Sequence, residues 1–283
     1  DPIGDLPSFL LRKQDGSSLY LTRDLATIAF RVKTFNPEVI LYVVGNEQSL
    51  HFQQFFAFGR LAGYIPEKIK TEHIDFGMVL SGGKKMSTRR GTLIELDDLI
   101  NQSQEKAKEI ILAKNREINI KELEKIVKII SIGAIIYNDL RQTRTNNISF
   151  DWDKMLDFEG GSAVYLQYTC VRISSIIKKF EEVYGQIKNN EFIFVENSEF
   201  SLAKKLMLFP ELIMKCQKVN YSHHLCVYLE ELAQTFNTFY NDVSILKTED
   251  KALRNSRLVL IESVAIVLRK GLSLLNIKVP DKM

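Results

Sequence analysis

Apolar and polar positions change their period near residue 97. Before it, short apolar runs alternate with helical spacing. Ser18-Leu-Tyr-Leu reads as a short strand. Leu25, Ile28, Ala29 and Val32 recur at helical spacing, so a helix follows, with Thr22 or Asp24 as its cap. Val39-Ile-Leu-Tyr-Val-Val44 is continuously apolar, the pattern of a strand buried on both faces, and Gly45 ends it. A second helix carries Phe52, Phe55, Phe56 and Leu61 before Gly63. Phe76-Gly-Met-Val-Leu80 reads as a third strand that runs into a glycine-lysine loop. This βαβαβ order predicts a parallel sheet covered by helices.

From Asp97 onward the pattern is helix after helix. Asp97 or Asp98 caps a helix reaching about Lys114. Further helices are expected over 123–140, 162–183, 200–218, 222–241 and 250–270. Glu191-Phe-Ile-Phe-Val is the one strand-like stretch among them. The segment Asn146 to Gly161 (NNISFDWDKMLDFEGG) breaks the periodicity and reads as the domain boundary. The fold class is therefore α/β, then all-α. No internal repeat or low-complexity tract interrupts it.

Composition narrows the class without choosing a function. The 283 residues are 45% hydrophobic and 26% charged, which suits a globular chain large enough for two cores. The net charge of +3 is mild, so a nucleic-acid role would need local basic patches. Cys170, Cys216 and Cys226 show no metal-binding spacing and read as free thiols in a reducing compartment. No apolar run is long enough for a membrane helix. The start, DPIGDLPSFLLRKQDG, lacks the basic region of a signal peptide. It also lacks a methionine, so the chain reads as part of something longer.

Three segments carry candidate chemistry. Ser81-Gly-Gly-Lys-Lys-Met-Ser-Thr-Arg-Arg-Gly91 puts three glycines and four cations on a loop leaving the carboxyl end of a strand. It is not a Walker loop, but it suits closure over a triphosphate. A solvated basic surface loop is the plain alternative. Tyr20 to Asp24 and Gly45 to His51 leave their strands in the same way. One ring, one carboxylate (Asp24) and one amide (Gln48) would suit a guanidinium, which a carboxylate can bind bidentately. Asp24 as a helix cap and His51 as a partly buried helix-start histidine are the simpler readings. Farther along, Tyr165, Tyr168 and Arg172 fall at i, i+3, i+7 on one helical face, while Leu166, Cys170, Ile173 and Ile177 form a separate apolar stripe. Exposed aromatics beside a cation suit stacking on unpaired bases, or else packing between domains.

KMST in SGGKKMSTRRG resembles the KMSK signature of class I aminoacyl-tRNA synthetases. The ordered set DGSSLYLTRDLA, YVVGNEQSLHFQQFF, GMVLSGGKKMSTRRGTLIELDDLI, IGAIIYNDLR and SFDWDKMLDFEGGSAVYLQY is similar to the arginyl-tRNA synthetases in particular. The resemblance implies the second half of a class I Rossmann-like catalytic domain over 1–157 and an α-helical bundle anticodon-binding domain over 158–283. It implies a ligase that activates arginine with ATP, releasing pyrophosphate, and transfers it to the 3′ end of tRNA(Arg). Lys85 would stabilise phosphate charge, Met86 would lie near the adenine and Ser87 would help hold the loop closed. Thr88 stands where the family's signature usually has lysine, which leaves open whether Lys84 or Arg89 supplies the second cation. Tyr20, Asp24 and Gln48 match the residues that hold the arginine side chain, and His51 falls near the ATP site. Tyr165, Tyr168 and Arg172 match anticodon-contacting positions, and Met283 is expected to touch an anticodon base.

The second class I signature, His-x-Gly-His, is absent: the four histidines are His51, His73, His223 and His224. The chain is therefore expected to be the C-terminal part of an enzyme and inactive alone. A non-catalytic tRNA-binding protein is the alternative. The implied partners are tRNA(Arg), L-arginine and ATP, with Mg2+ accompanying ATP and no prosthetic group or resident metal. A monomer in a cytoplasm or organelle matrix is expected.

Overall fold

The computed structural model describes residues 6–81, 84–85, 95–114, 117–149, 151–186 and 192–283. The chain folds into two compact units.

The first unit holds the α/β part. Helix α1 (Tyr20–Phe35) is followed by strand β1 (Val39–Gly45), a short 3-10 turn (Asn46–Gln48), helix α2 (Ser49–Leu61) and strand β2 (Lys70–Phe76). β1 and β2 pair in parallel, from Val39 opposite Lys70 to Gly45 opposite Phe76. The β1–α2–β2 stretch is thus one βαβ unit. Leu21, Leu25 and Ile28 of α1 pack with Phe52 and Phe55 of α2, and with Ile65 and Ile69, to form the core.

Two strand expectations fail here. Ser18 to Leu21 is not a strand: Ser18 makes one bridge to Arg12, and α1 already begins at Tyr20. Leu21 belongs to the buried face of that helix, at four and seven residues from Leu25 and Ile28. Neither Thr22 nor Asp24 is the cap residue; Leu19 is, and its N–H donates to Thr22 Oγ1 at 3.4 Å. β1 buries one face instead of two. Ile40, Tyr42 and Val44 pack on the core, while Val39, Leu41 and Val43 are 48%, 46% and 67% exposed.

The expected third strand, 76–80, is also broken. β2 ends at Phe76, and β3 (Val79–Ser81) belongs to the second unit. Gly77 lies so close to the 146–147 segment that a Cβ there would sit 2.1 Å from the Asn146 carbonyl oxygen. Met78 N–H donates to Asn147 Oδ1 at 2.9 Å, so this stretch docks on a loop instead of extending a ladder.

In the second unit β3 pairs antiparallel with β4 (Lys84–Lys85) and parallel with β5 (Ile148–Ser149). The remainder is helical: α3 (Leu96–Lys114), α4 (Ile120–Leu140), the short α5 (Trp152–Met155), α6 (Ala163–Tyr184), α7 (Asn197–Met207), α8 (Phe209–Val219), α9 (His223–Asp242) and α10 (Lys251–Leu274). Asp97 and Asp98 lie within the first turn of α3, where they favour the helix dipole, and do not precede it as caps. The stretch expected as one helix over 200–218 is two. Pro210 sits in the first turn of α8, where its missing N–H is tolerated but where it cannot continue α7. Residues 192–195 form no strand; the Ile193 backbone bonds to the Ser256 hydroxyl instead.

α6 lies against α4, α9 and α10. Ser162 caps it by accepting from Tyr165 N–H at 3.1 Å. One core joins α6, α7, α9 and α10; a second joins α3 and α4 with Met155, Leu156 and Val164.

Candidate functional site

The first group of candidate residues lies in the first unit. Tyr20 and Asp24 are four residues apart on α1 and share a face. Gln48 immediately precedes α2, and His51 is three residues further on. Candidate residues of the two elements meet where His51 Nε2 lies 2.7 Å from Asp24 Oδ2. Tyr20 and Gln48 each lie about one turn from that contact. Tyr20 is 81% exposed. The imidazole of His51 is held on its other sides by aromatic rings, stacked on Phe55 at 6.2 Å and edge-on to Phe52 at 5.3 Å. Neither sequence spacing nor residue type reveals this pair, which is 27 residues apart.

Of the glycine-lysine loop, the backbones of Lys84 and Lys85 pair with β3, opposite Ser81 and Leu80. Met86 and Ser87 lie outside the described residues, as do Thr88 and Arg89. Among the described residues no group of three or more His, Cys, Asp or Glu side chains is placed to hold a metal ion, so Mg2+ finds no such ligand set there.

The second group lies on α6. Tyr168 is 38% exposed and meets Phe158 edge-on at 6.0 Å. Tyr165 departs from expectation: it is 5% exposed and belongs to the core. Its hydroxyl accepts a hydrogen bond from Asn237 Nδ2 at 2.8 Å. Burial raises its pKa, and the Asn237 bond only partly offsets this. The cause is position. α6 has helices on several sides, so its coverage extends past the apolar stripe, and even Gln167 and Thr169 are buried. Arg172 lies 4.3 Å from the centre of the Tyr240 ring, a cation–π contact. Asn237 and Tyr240, three apart on α9, therefore flank Tyr165 and Arg172, and no motif in the sequence singles out either. Met283 packs, partly buried, against the α3–α4 core. The tail before it is tied to α4 by Lys125 to Asp281 at 2.8 Å and Lys282 to Glu122 at 2.6 Å.

Cys170 and Cys226 are buried, and burial pushes both thiols up to about 12.

Residues 3–152 match the family model described as tRNA synthetases class I (R), catalytic domain. Residues 166–283 match the DALR anticodon binding domain. The chain belongs to the arginyl-tRNA synthetase family. It is 40% identical over 279 residues to the arginine–tRNA ligase of Clostridium acetobutylicum, covering 99% of this chain and 49% of that protein. To the arginine–tRNA ligase of Shigella dysenteriae serotype 1 it is 37% identical over 281 residues, again 99% of this chain and 49% of the relative. Among solved structures, the Plasmodium falciparum arginyl-tRNA synthetase superposes with a TM-score of 0.82 at 26% identity, over 96% of this chain and 46% of that one. The Thermus thermophilus arginyl-tRNA synthetase shares the fold, with a TM-score of 0.84 at 24% identity, over all of this chain and 53% of its own. The chain thus spans about half the length of the synthetases it matches. No helix among the described residues is long and apolar enough to cross a membrane.

Proposed function

We propose that this chain forms the signature-loop and anticodon-binding portion of an arginine–tRNA ligase. The observation that carries the reading is the two family matches in synthetase order along one chain. Residues 1–157 belong to the catalytic domain and 158–283 to the anticodon-binding domain. The substrates are ATP, L-arginine and tRNA(Arg), Mg2+ accompanies ATP, and the protein works as a cytoplasmic monomer.

In the reaction the arginine carboxylate attacks the α-phosphorus of ATP and pyrophosphate leaves. A hydroxyl of the terminal tRNA ribose then attacks the carbonyl of arginyl-adenylate, and AMP leaves. Lys85 stabilises the charge that develops on the phosphates, where a fixed cation lowers the barrier most. Met86 lies against the adenine and Ser87 holds the loop closed. The Asp24 carboxylate receives the guanidinium, with Tyr20 and Gln48 beside it. On the helical unit Tyr168 stacks on an unpaired anticodon base, Arg172 and Tyr165 shape the surface beneath it, and Met283 touches an anticodon base. The chain alone does not activate arginine.

A chimera tests this. The matching half of the Clostridium acetobutylicum ligase is replaced by this chain, and charging of tRNA(Arg) is measured. Activity in the chimera, its loss on Lys85→Ala, and no exchange of pyrophosphate into ATP by this chain alone with arginine and tRNA present are expected. Undiminished charging by the Lys85→Ala chimera contradicts the role of Lys85; no charging by a folded chimera contradicts the reading as a whole.

A further inference from the structure

His51 falls near the ATP site by family position, but its contacts point elsewhere. Its Nε2 is 2.7 Å from Asp24 Oδ2, and Phe52 and Phe55, which brace the ring, are 4% and 0% exposed. The ring therefore cannot swing far without disturbing the core of the first unit. At the contact, the His51 side chain is 24% exposed and the Asp24 side chain 40%, so the carboxylate is the more open partner. A carboxylate offers about four acceptor sites on its two oxygens. His51 occupies one, which leaves capacity for the fork of a guanidinium. Tyr20 precedes Asp24 by one turn, and Gln48 precedes His51 by one turn. The His51–Asp24 contact thus links the two sides of the candidate arginine site, beside the apolar core that already joins α1 to α2.

We infer that His51 is a positioning residue for the amino acid: it donates from Nε2 to Asp24 and fixes the carboxylate for a guanidinium, and it is not a phosphate ligand. The inference rests on the reading of Asp24 as the acceptor of arginine. Holding a charged ligand group by a half-buried donor removes the need to order it at each binding event. Its loss lowers affinity for the cationic ligand and leaves a neutral isostere nearly unaffected.

The test is titration of the 283-residue chain with L-arginine and with L-citrulline, followed by NMR signals of Asp24 and His51, with thermal melting of every variant. The wild-type chain is expected to prefer arginine. His51→Ala and His51→Phe, which lack a donor, are expected to weaken arginine binding roughly tenfold and to leave citrulline nearly unchanged. His51→Gln, whose amide can donate to Asp24, is expected to stay within about threefold of the wild type. Arginine binding by His51→Ala and His51→Phe equal to wild type, with Asp24→Ala defective, overturns the positioning role and leaves the arginine site standing. A His51→Gln variant that melts normally but binds as poorly as His51→Ala also overturns it. Arginine binding by Asp24→Ala equal to wild type, or no arginine preference in the wild-type chain, overturns the arginine site and the inference with it.

Discussion

Arg257 donates from Nε to Glu199 Oε1 at 2.6 Å, and both side chains are buried. The pair joins the first turn of α7 to α10. Glu199 Oε2 also accepts from the N–H groups of Val195 and Glu196, at 2.5 and 2.9 Å, and Arg257 Nη1 donates to Thr248 Oγ1 at 2.9 Å. Both charges are thus satisfied by hydrogen bonds as well as by each other, the condition under which a buried pair is tolerated.

Glu199→Gln leaves the Arg257 charge buried without its counter-ion. The expected loss is about 3–5 kcal/mol of unfolding free energy, read from urea titration of the helical unit. The effect depends on pH with a definite sign. Burial alone would raise the Glu199 pKa, but the two backbone donors and Arg257 outweigh it and hold the group below its ordinary 4.5. The unfolded chain therefore takes up this proton first on acidification. The stabilisation is full above about 4.5 and is lost as pH falls through the folded value. The gap between wild type and Glu199→Gln should narrow at acid pH; a gap independent of pH would contradict the assignment.

Tyr165 and Tyr168 should separate in their effects although they share a helix. Tyr165→Ala empties a core site and is expected to cost about 3–5 kcal/mol of stability. Tyr165→Phe removes only the Asn237 bond and should cost about 0.5–1.5 kcal/mol. Tyr168→Ala should leave stability within about 0.5 kcal/mol and weaken tRNA binding by about 1–3 kcal/mol. Melting and tRNA titration on the same three variants check all of this.

Gly271 marks the close approach of α10 to α9. A Cβ there would lie 2.5 Å from Leu229 Cδ2 and 2.9 Å from its Cδ1, and Leu229 is fully buried. Gly271→Ala is expected to destabilise by about 1–3 kcal/mol in spite of its better helix propensity. Gly271→Ala with Leu229→Ala should lose less than the sum of the two single changes, which a double-mutant cycle measures.

Much of the fold is legible in the chain. The long helices follow from apolar spacing because their packing faces, such as Leu166, Cys170 and Ile173 on α6, repeat every three to four residues. Pro210 is visible too, yet the apolar spacing around it runs on and hides the split between α7 and α8. What spacing does not carry is partnership across the fold. Leu21 has the pattern of a strand residue until the core places it beside Leu25. Tyr165 has the spacing of an exposed residue because nothing in α6 announces that α9 covers it. Asp24 and His51 each suggest a different ligand, and only the folded chain brings them into contact.

The helical unit is proposed to read the anticodon of tRNA(Arg). The most direct test is binding of this chain to a tRNA(Arg) transcript and to the same transcript with an altered anticodon, at two salt concentrations. Preference for the native anticodon that persists at the higher salt and is lost in Tyr168→Ala is expected. Equal binding to both transcripts, falling steeply with salt, would reduce the interaction to phosphate attraction and contradict it.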